Sequence, residues 1–382
     1  MWTADEWYGQ ARATAEHDRK LVLNLTGLRL ELLAGSPLGS VDAAGRDLIR
    51  FHRERFDAVP DLSRYPELRG IRELLLAENR GIQEGAGLDE LQLAAYVSGS
   101  PYYHRFVVAD PGPSATMTGK ANCSYIYFPR SDRGPLLANN LDASPKELFG
   151  KPIWPAGNEH LVMGGVSSGI YMDEQSPEIF PAPVYRLVAR YCRDTREAVE
   201  MLTRYNFFWG PCNRLVTDRK GQTAMIEKSA CRIGVRWSPD GFGFVTAMTA
   251  EEPAMHAYLA DRRTASIKAR GLPPGNPDEA YWSKQDARGS LMNELLAEVR
   301  ETPTYEGIRR MIQFRDPVRG NVCGFGERCI PDGPESEYTI RTMISELRAA
   351  RAHWWAQDGD TPSWKRPMPD ICFPEALSWN ER

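Results

Sequence analysis

The chain has 382 residues, of which 42% are hydrophobic and 26% are charged, and its formal net charge at pH 7 is -4. This composition is typical of a globular protein with a large core and one to three domains. The nearly neutral balance gives no electrostatic reason to expect nucleic acid or an anionic membrane as a partner. No apolar run approaches the ~18–20 residues that span a bilayer, and the first residues lack the pattern of a secretory signal. We therefore expect a cytoplasmic protein.

The cysteines and histidines show no pattern of metal ligands. The seven cysteines are widely spaced, and their odd number argues against a disulfide framework. No CxxC pair occurs, and the nearest two, Cys323 and Cys329, have no histidines at the spacing of a zinc site. The six histidines form no cluster either. The sequence therefore predicts no metal site and no cofactor.

The first 122 residues predict a helical region. Apolar residues recur at helical spacing in three segments: 41–56, 66–78 and 88–97. Pro66 suits the first position of its helix, and the third helix is expected to end near Gly99. Residues 110–120 are then rich in Gly, Pro, Ser and Thr, which predicts an exposed loop that suits cleavage.

From Cys123 onward the pattern changes to short strands separated by turns. Two strands, 123–128 and 134–142, are joined by the turn 129–133. Further strands are predicted at 161–165, 170–172, 213–217, 223–227, 232–237, 243–248 and 338–345. Helices are predicted at 182–192, 195–205 (with Thr195 as its N-cap), 290–300 and 305–314, and the tail 359–382 is expected to wrap the surface. This order of elements indicates an α+β protein whose sheets are sandwiched by helices.

The two strands after residue 122 carry the residues that suggest chemistry. Cys123 opens the first strand, and Asn139-Asn140-Leu141-Asp142 ends the second, with the aspartate nineteen positions after the cysteine. If Cys123 becomes a chain terminus, its thiol and its own α-amine form a nucleophile and a base in one residue. Without that cut, Cys123 is a small apolar strand residue and Asp142 is a turn residue.

The order of these segments resembles the acyl-coenzyme A:6-aminopenicillanic acid acyltransferase family. That family is a branch of the N-terminal-nucleophile hydrolases and is related to the choloylglycine hydrolases. The resemblance extends from about residue 66 onward. It rests on residues 78–88, on the Cys123 strand with its Asn-Asn-Leu-Asp partner, on residues 164–170 with the two helical segments that follow, and on residues 338–344.

The resemblance implies a four-layer αββα fold in which residues 1–122 form a helical propeptide region and residues 123–382 the catalytic body. It implies cleavage between Asn122 and Cys123, after which the freed amine is the general base and Asp142 orients it. A thiol pKa near roughly 8.5 and an α-amine pKa near roughly 7.7–8 leave both groups poised close to neutrality. The remaining implied site residues are Asn140 as a catalytic residue, and Asn139, Ser167, Thr246 and Asn213 for substrate or oxyanion binding.

The function expected from these residues is an amidohydrolase or acyltransferase acting on a small N-acyl amide or thioester, with water or an amine as the acceptor. The two fragments are expected to stay associated, and a homo-oligomer is compatible with the sequence. One alternative is an acyltransferase of natural-product assembly that uses an acyl thioester. Another is an uncleaved binding or scaffold protein, since Asn122 replaces the family's usual glycine and Ala247 stands where its oxyanion asparagine is expected.

Overall fold

The structure is a computed structural model, and the fold is given for the residues that it describes. These are 3–17, 19–34, 41–57, 71–106, 123–143, 156–167, 188–189, 191–206, 212–229, 232–246, 249–269, 271–316, 318–323, 338–356, 365, 367–372 and 379. The predicted strand at 170–172 and most of the predicted helix at 182–192 lie outside them, as do Asn122 and Ala247.

The N-terminal part is helical, as the sequence predicts. Its described helices are α1 (Ala4–His17), α2 (Arg19–Ala34), α3 (Val41–Asp57), α4 (Ile71–Ala86) and α5 (Glu90–Phe106). The prediction that the last helix ends near Gly99 was wrong, because α5 continues to Phe106. A single glycine in a helix costs only about 1 kcal/mol relative to alanine, which packing and neighbouring residues can offset.

A six-stranded antiparallel sheet, sheet A, holds the Cys123 strand. Its order is β13-β12-β11-β2-β1-β8. The strands are β1 (Ser124–Phe128), β2 (Leu136–Ala143), β8 (Gly243–Thr246), β11 (Tyr338–Glu346), β12 (Arg351–Ala356) and β13 (Pro367–Cys372). The β1–β2 hairpin and β11 confirm the sequence predictions. The tail was predicted to wrap the surface, but Pro367–Cys372 pairs with β12 as an edge strand.

A second antiparallel sheet, sheet B, has the order β3-β4-β5-β6-β7. Its strands are β3 (Ala156–Gly157), β4 (Leu161–Ser167), β5 (Cys212–Asp218), β6 (Thr223–Lys228) and β7 (Ile233–Ser238). The antiparallel pairs β4–β5, β5–β6 and β6–β7 have continuous registers. The short strands β9 (Arg315–Asp316) and β10 (Gly320–Asn321) pair separately.

The remaining helices are α6 (Thr195–Arg204), α7 (Pro253–Ala269), α8 (Pro277–Arg300) and α9 (Tyr305–Ile312). The prediction that Thr195 is the N-cap of α6 was wrong by one position. Asp194 has the extended backbone of a cap, and its side chain accepts a hydrogen bond from the Glu197 amide. No helix within the described ranges is long and apolar enough to cross a membrane.

The two sheets pack face to face. Alternate residues of each strand point to opposite sides of its sheet, so each sheet turns one set of side chains toward the other sheet. Tyr127, Leu137 and Met343 of sheet A share one buried apolar cluster with Val162 and Leu215 of sheet B. We call the face of each sheet that lines this cluster its inner face. Helix α7 adds Met255 and Leu259 to the same cluster.

Helices cover both outer faces. Residues Leu161 and Val216 on the outer face of sheet B cluster with Trp7 of α1, Leu75 of α4 and Leu202 of α6. The outer face of sheet A clusters with α8 and α9 through Ile126, Phe128, Leu136, Met292, Leu295, Ile308 and Ile312. The order of layers is therefore helix, sheet, sheet, helix. This arrangement confirms the predicted α+β class and its αββα layering.

Two glycines bring α1 and α4 into close contact. A Cβ at Gly81 would lie 2.4 Å from the Tyr8 carbonyl oxygen, and one at Gly85 would lie 2.3 Å from the Arg12 carbonyl oxygen. Larger residues at these positions would push the helices apart, because the atoms that they meet belong to the backbone. The glycines thus allow α1 and α4 to form one tightly packed pair on sheet B.

We expect Gly85→Ala to lower the free energy of unfolding by about 1–3 kcal/mol, because its methyl group meets the backbone of α1. Gly9→Ala is the matched control in the same helix pair, since nothing lies within 4 Å of a Cβ at that position. The control is expected to be neutral or to stabilise by up to about 1 kcal/mol. Urea unfolding followed by circular dichroism measures both, and equal effects of the two substitutions would contradict the close packing.

Candidate active site around Cys123

Cys123 lies directly before β1, on the inner face of sheet A. It belongs to the cluster between the sheets and is 7% exposed. Next to it, Ser124 pairs with Asn140 of β2 and with Thr246 of β8, so the start of β1 is held on both sides. The thiol is therefore fixed at one end of the sandwich.

Burial makes this thiol a weak acid. It raises the pKa of Cys123 to about 12, and the negative charge of Asp142 adds to that increase. The cations Arg288 and Arg341 act in the opposite direction, as does a hydrogen bond with the backbone of Asp142. The thiol itself donates to the Asp142 carbonyl oxygen, which lies 3.9 Å from Sγ. In the intact chain the thiol is therefore protonated at neutral pH and needs a base before it can attack a carbonyl.

Asp142 is held by partners on both carboxylate oxygens. Oδ2 lies 2.8 Å from Nη2 of Arg288 on α8, and Oδ1 accepts a 2.6 Å hydrogen bond from the Thr339 hydroxyl on β11. The carboxylate side chain is only 4% exposed. Burial raises the pKa of Asp142, and Arg288 and Thr339 oppose that shift. The thiol lies next to the backbone of Asp142, whereas the Asp142 side chain, two positions after Asn140, is directed toward α8 on the outer side of sheet A. Arg288 is a partner that the sequence did not indicate.

The two neighbouring asparagines of β2 point to opposite faces. The amide of Asn140 donates to the carbonyl oxygens of Ile312 at 2.8 Å and Val322 at 3.2 Å, and its oxygen accepts from Thr342. Asn140 thus binds the helical layer outside sheet A and is turned away from the thiol. Asn139 instead faces the other sheet, directly opposite Tyr125 in the register.

Two other predicted residues meet at the end of β8. The Asn213 amide on β5 donates to the carbonyl oxygens of Thr246 at 2.9 Å and Thr249 at 2.8 Å. Both amide hydrogens are therefore used to tie sheet B to the segment after β8. The Thr246 hydroxyl is hydrogen bonded to that of Thr249. Ser167 is the last residue of β4, where it pairs with Cys212, and its side chain lies outside the described atoms.

Sequence reasoning missed three charged or polar groups near the thiol. Arg288 comes from α8, far along the chain, and Arg341 comes from β11. The phenol of Tyr125 lies two residues from Cys123 on the same face, and burial raises its pKa to about 12. Burial lowers the pKa of Arg341, a residue that is only 4% exposed. Alternation along β1 was the signal that could have placed Tyr125 beside the thiol.

No group of three or more His, Cys, Asp or Glu side chains suited to a metal ion occurs among the residues that the structure describes. The reactive and charged groups at this end of the sandwich include the Cys123 thiol and the Asp142–Arg288 pair. In general, a cysteine thiol can attack a carbonyl carbon once a base has removed its proton.

The fold and the site together define an α+β protein with αββα layers and a buried thiol directly before an inner strand. No known family profile matches the chain, and no curated protein matches it. Among solved structures, it is similar to a variant of the conjugated bile acid hydrolase of Clostridium perfringens at 13% identity, over 68% of this chain and 95% of that chain, with a TM-score of 0.42.

Two further solved structures are similar to the chain. The penicillin V acylase of Agrobacterium tumefaciens is 14% identical over 62% of this chain and 76% of that chain, with a TM-score of 0.34. A second variant of the Clostridium perfringens hydrolase is 13% identical over 68% of this chain and 92% of that chain, with a TM-score of 0.32.

The buried pair predicts a pH-dependent loss of stability. We expect Arg288→Gln to lower the free energy of unfolding at pH 8 by about 3–5 kcal/mol, because it leaves the Asp142 carboxylate uncompensated. The folded-state pKa of Asp142 already lies above the unfolded value, so its ionisation opposes folding as pH rises through that pKa. The loss should therefore be smaller at pH 5, where the variant's carboxyl can take up a proton.

Arg300→Gln is the matched control for this measurement. Arg300 also belongs to α8 and pairs with an aspartate, Asp240, but both side chains are well exposed at 43% and 37%. Arg300→Gln should lower the free energy of unfolding by less than about 1 kcal/mol at both pH values. Denaturant unfolding at pH 5 and pH 8 tests both variants. If Arg288→Gln lowers the free energy of unfolding equally at the two pH values, the buried Asp142–Arg288 ion pair is contradicted.

Proposed function

We propose that the protein is a self-processing cysteine N-terminal-nucleophile enzyme that hydrolyses a small N-acyl amide. The observation that carries this proposal is the setting of Cys123. Among the residues that the structure describes, the charged groups that act on its thiol are Asp142, Arg288 and Arg341. Two of these are cations, and the third has both carboxylate oxygens engaged. None of them is suited to take the thiol proton, so a free α-amine on Cys123 itself is the base that fits this site.

The reaction then proceeds in two steps. The α-amine accepts the thiol proton as Sγ attacks the amide carbon, and the resulting ammonium gives that proton to the leaving amine as the C–N bond breaks. Water then attacks the thioester, the amine accepts the proton of that water, and the carboxylic acid leaves as Sγ regains its proton. Each step forms one bond to the acyl carbon and breaks one, and no external oxidant or metal takes part.

Asp142 and Arg288 set the charge around that amine. A lone carboxylate would favour the ammonium form and keep the base protonated, whereas the pair with Arg288 removes most of its net charge. The pair can therefore orient the terminus through the remaining acceptor capacity of the carboxylate without holding the amine in its inactive form. In this proposal the buried ion pair orients the α-amine base and does not bind the substrate.

The N-terminal helices support a complex of two fragments after cleavage. Trp7 and Leu75 are 1% and 3% exposed and pack with the outer face of sheet B. If the fragment before Cys123 dissociated, this apolar face would meet water, and burial of apolar surface is the main favourable term in folding. We therefore propose that residues 1–122 remain as the fourth layer of the mature protein.

Transfer of the acyl group to an amine is the alternative fate of the thioester. Hydrolysis and acyl transfer are distinguished by adding hydroxylamine to the enzyme together with an excess of substrate. Formation of the hydroxamate with an unchanged rate of amine release indicates an acyl-enzyme that accepts nucleophiles other than water. Release of the free acid alone indicates a dedicated hydrolase.

The purified wild-type protein should consist of two fragments, residues 1–122 and 123–382, that elute together from a sizing column. Intact-mass analysis measures the cut, and Cys123→Ala should stay as a single chain because it has no thiol to attack the preceding carbonyl. A set of chromogenic N-acyl anilides with acyl chains of different lengths then measures activity, which Cys123→Ala should lack.

Two results would count against the proposal. A wild-type chain that remains intact would exclude the free amine as the base. A chain that is cut as expected but cleaves none of the anilides faster than Cys123→Ala would favour the binding or scaffold reading of the sequence.

A further inference from the structure

We propose that the end of the sandwich opposite Cys123 is a docking surface for an acidic segment of another protein. This surface, which we call the basic end, consists of four turns: 129–134, 219–222, 239–242 and 347–350. The turns carry five cations and two carboxylates, although the formal net charge of the whole chain is -4. The inference goes beyond the proposed function and does not depend on it.

The four turns meet at one end of the two sheets. A Cβ at Gly241 would lie 2.7 Å from the Gly221 carbonyl oxygen and 3.2 Å from Cβ of Pro129, so three of the turns are in contact. The fourth turn joins them because the Leu347 amide donates to the Pro135 carbonyl oxygen at 3.2 Å. The turns therefore form one continuous surface.

The carboxylates of the basic end are engaged by neighbouring groups. Asp132 accepts a 2.6 Å hydrogen bond from the Tyr305 amide at the start of α9. Asp240 pairs with Arg300 of α8 at 3.0 Å and also accepts a hydrogen bond from the Phe242 amide at 3.4 Å. The charge of Asp240 is thus balanced by a cation from outside the turns. The cations of the turns are left in excess, and the potential of this end is positive.

Three of the five cations lack a partner of this kind. The side chains of Arg130, Lys220 and Arg348 form no ion pair and no hydrogen bond with the part of the chain that the structure describes. All three residues are exposed, and each belongs to a different turn. Single surface cations are often unpaired. Three on adjoining turns concentrate positive potential, which attracts an acidic partner and raises its rate of association.

Two of these cations are held in place before any partner arrives. Cζ of Arg130 lies 5.4 Å from the centre of the buried Phe242 ring, and Cζ of Arg300 lies 5.3 Å from the same ring. The stem of Arg348 packs on Gly134, where an added Cβ would lie 3.0 Å from Cδ of the arginine. Side chains that are fixed in this way lose less conformational freedom on binding.

The pattern of groups fits an acidic polypeptide better than a membrane or a nucleic acid. The large apolar side chains that are well exposed in the described ranges, such as Trp237 and Val318, lie outside the four turns and cannot insert into lipid from this surface. Asp132 and Asp240 lie among the cations, whereas nucleic acids and anionic lipid surfaces are negative throughout. A polypeptide can place its carboxylates opposite the cations and leave these two acids without contact.

The basic end is far from the thiol. The five residues of β1 separate Cys123 from the turn 129–134. This separation is about 17 Å at ~3.4 Å per residue. A partner that binds the basic end therefore leaves the thiol end of the sandwich uncovered.

Fluorescence anisotropy of labelled hexaglutamate and hexaglutamine peptides tests the proposal on the full-length protein. We expect hexaglutamate to bind at about 20 mM salt, where exposed charges are weakly screened, and to lose affinity as salt is added. Arg130→Gln, Lys220→Gln and Arg348→Gln together should weaken this binding at least about tenfold, because each exposed ion pair contributes up to about fivefold. Hexaglutamine should not bind.

The matched control removes the same number of charges outside the basic end. Lys20, Arg46 and Lys268 are exposed cations of α2, α3 and α7. Their joint replacement by glutamine should leave the affinity within about twofold. Lys220→Glu is a second test if the first triple variant fails to fold, because the Lys220 side chain has no ion pair or hydrogen bond within the described ranges. This reversal of one charge should weaken binding at least about threefold.

The proposal is overturned if the two peptides bind equally, if neither binds at low salt, or if the control variant loses as much affinity as the basic-end variant. Single-stranded DNA and phosphatidylserine vesicles are tested in parallel. Binding of either one without binding of hexaglutamate also overturns the proposal, because the partner would then be a nucleic acid or a membrane. These measurements involve neither self-cleavage nor turnover, so their failure is distinct from a failure of the proposed function.

Discussion

The buried ion pair between Asp142 and Arg288 is the interaction on which the rest of this end of the molecule depends. It joins a strand of sheet A to α8 in the outer helical layer, and both side chains are less than one-tenth exposed. Such a pair is stable only if its remaining polar groups are also satisfied. Thr339 supplies one partner for the carboxylate, and the carbonyl oxygen of Val322 supplies one for the guanidinium. Three elements that are distant in sequence are therefore held around the backbone next to Cys123.

The two faces of β2 have different tasks because successive residues of a strand point in opposite directions. Asn140 is directed outward and donates to the carbonyl oxygens of Ile312 in α9 and of Val322, the residue after β10. Asn139 is directed inward and shares a face with the thiol. The resemblance in sequence implied a catalytic role for Asn140 and a role in substrate or oxyanion binding for Asn139. Their burial is almost the same, at 1% and 0%, so only the direction of the side chain separates a packing residue from a candidate binding residue.

Local patterns were sufficient to predict most of the strands and helices, the α+β class and the proximity of Cys123 to Asp142. The hairpin of β1 and β2 carries its own register, so its two ends could be placed from the sequence alone. Arg288 and Arg341 could not be placed in this way. They reach the site only through tertiary packing, and neither has a spacing that marks it among the 47 basic residues of the chain. The sequence likewise missed β12, which pairs with the preceding strand β11, and β13, which pairs with β12 at the edge of the sheet.

The distance along the chain between partners at the site also sets when the site can form. Asp142 and Thr339 are 197 positions apart, and Trp379 near the C-terminus is part of the core between the sheets. Contacts of such long range form slowly, because the intervening chain must first be ordered. During synthesis, the strand that holds Cys123 thus emerges long before the strand that completes its surroundings. Truncated or unfinished chains therefore lack the assembled site, and any chemistry of the thiol waits for the whole protein.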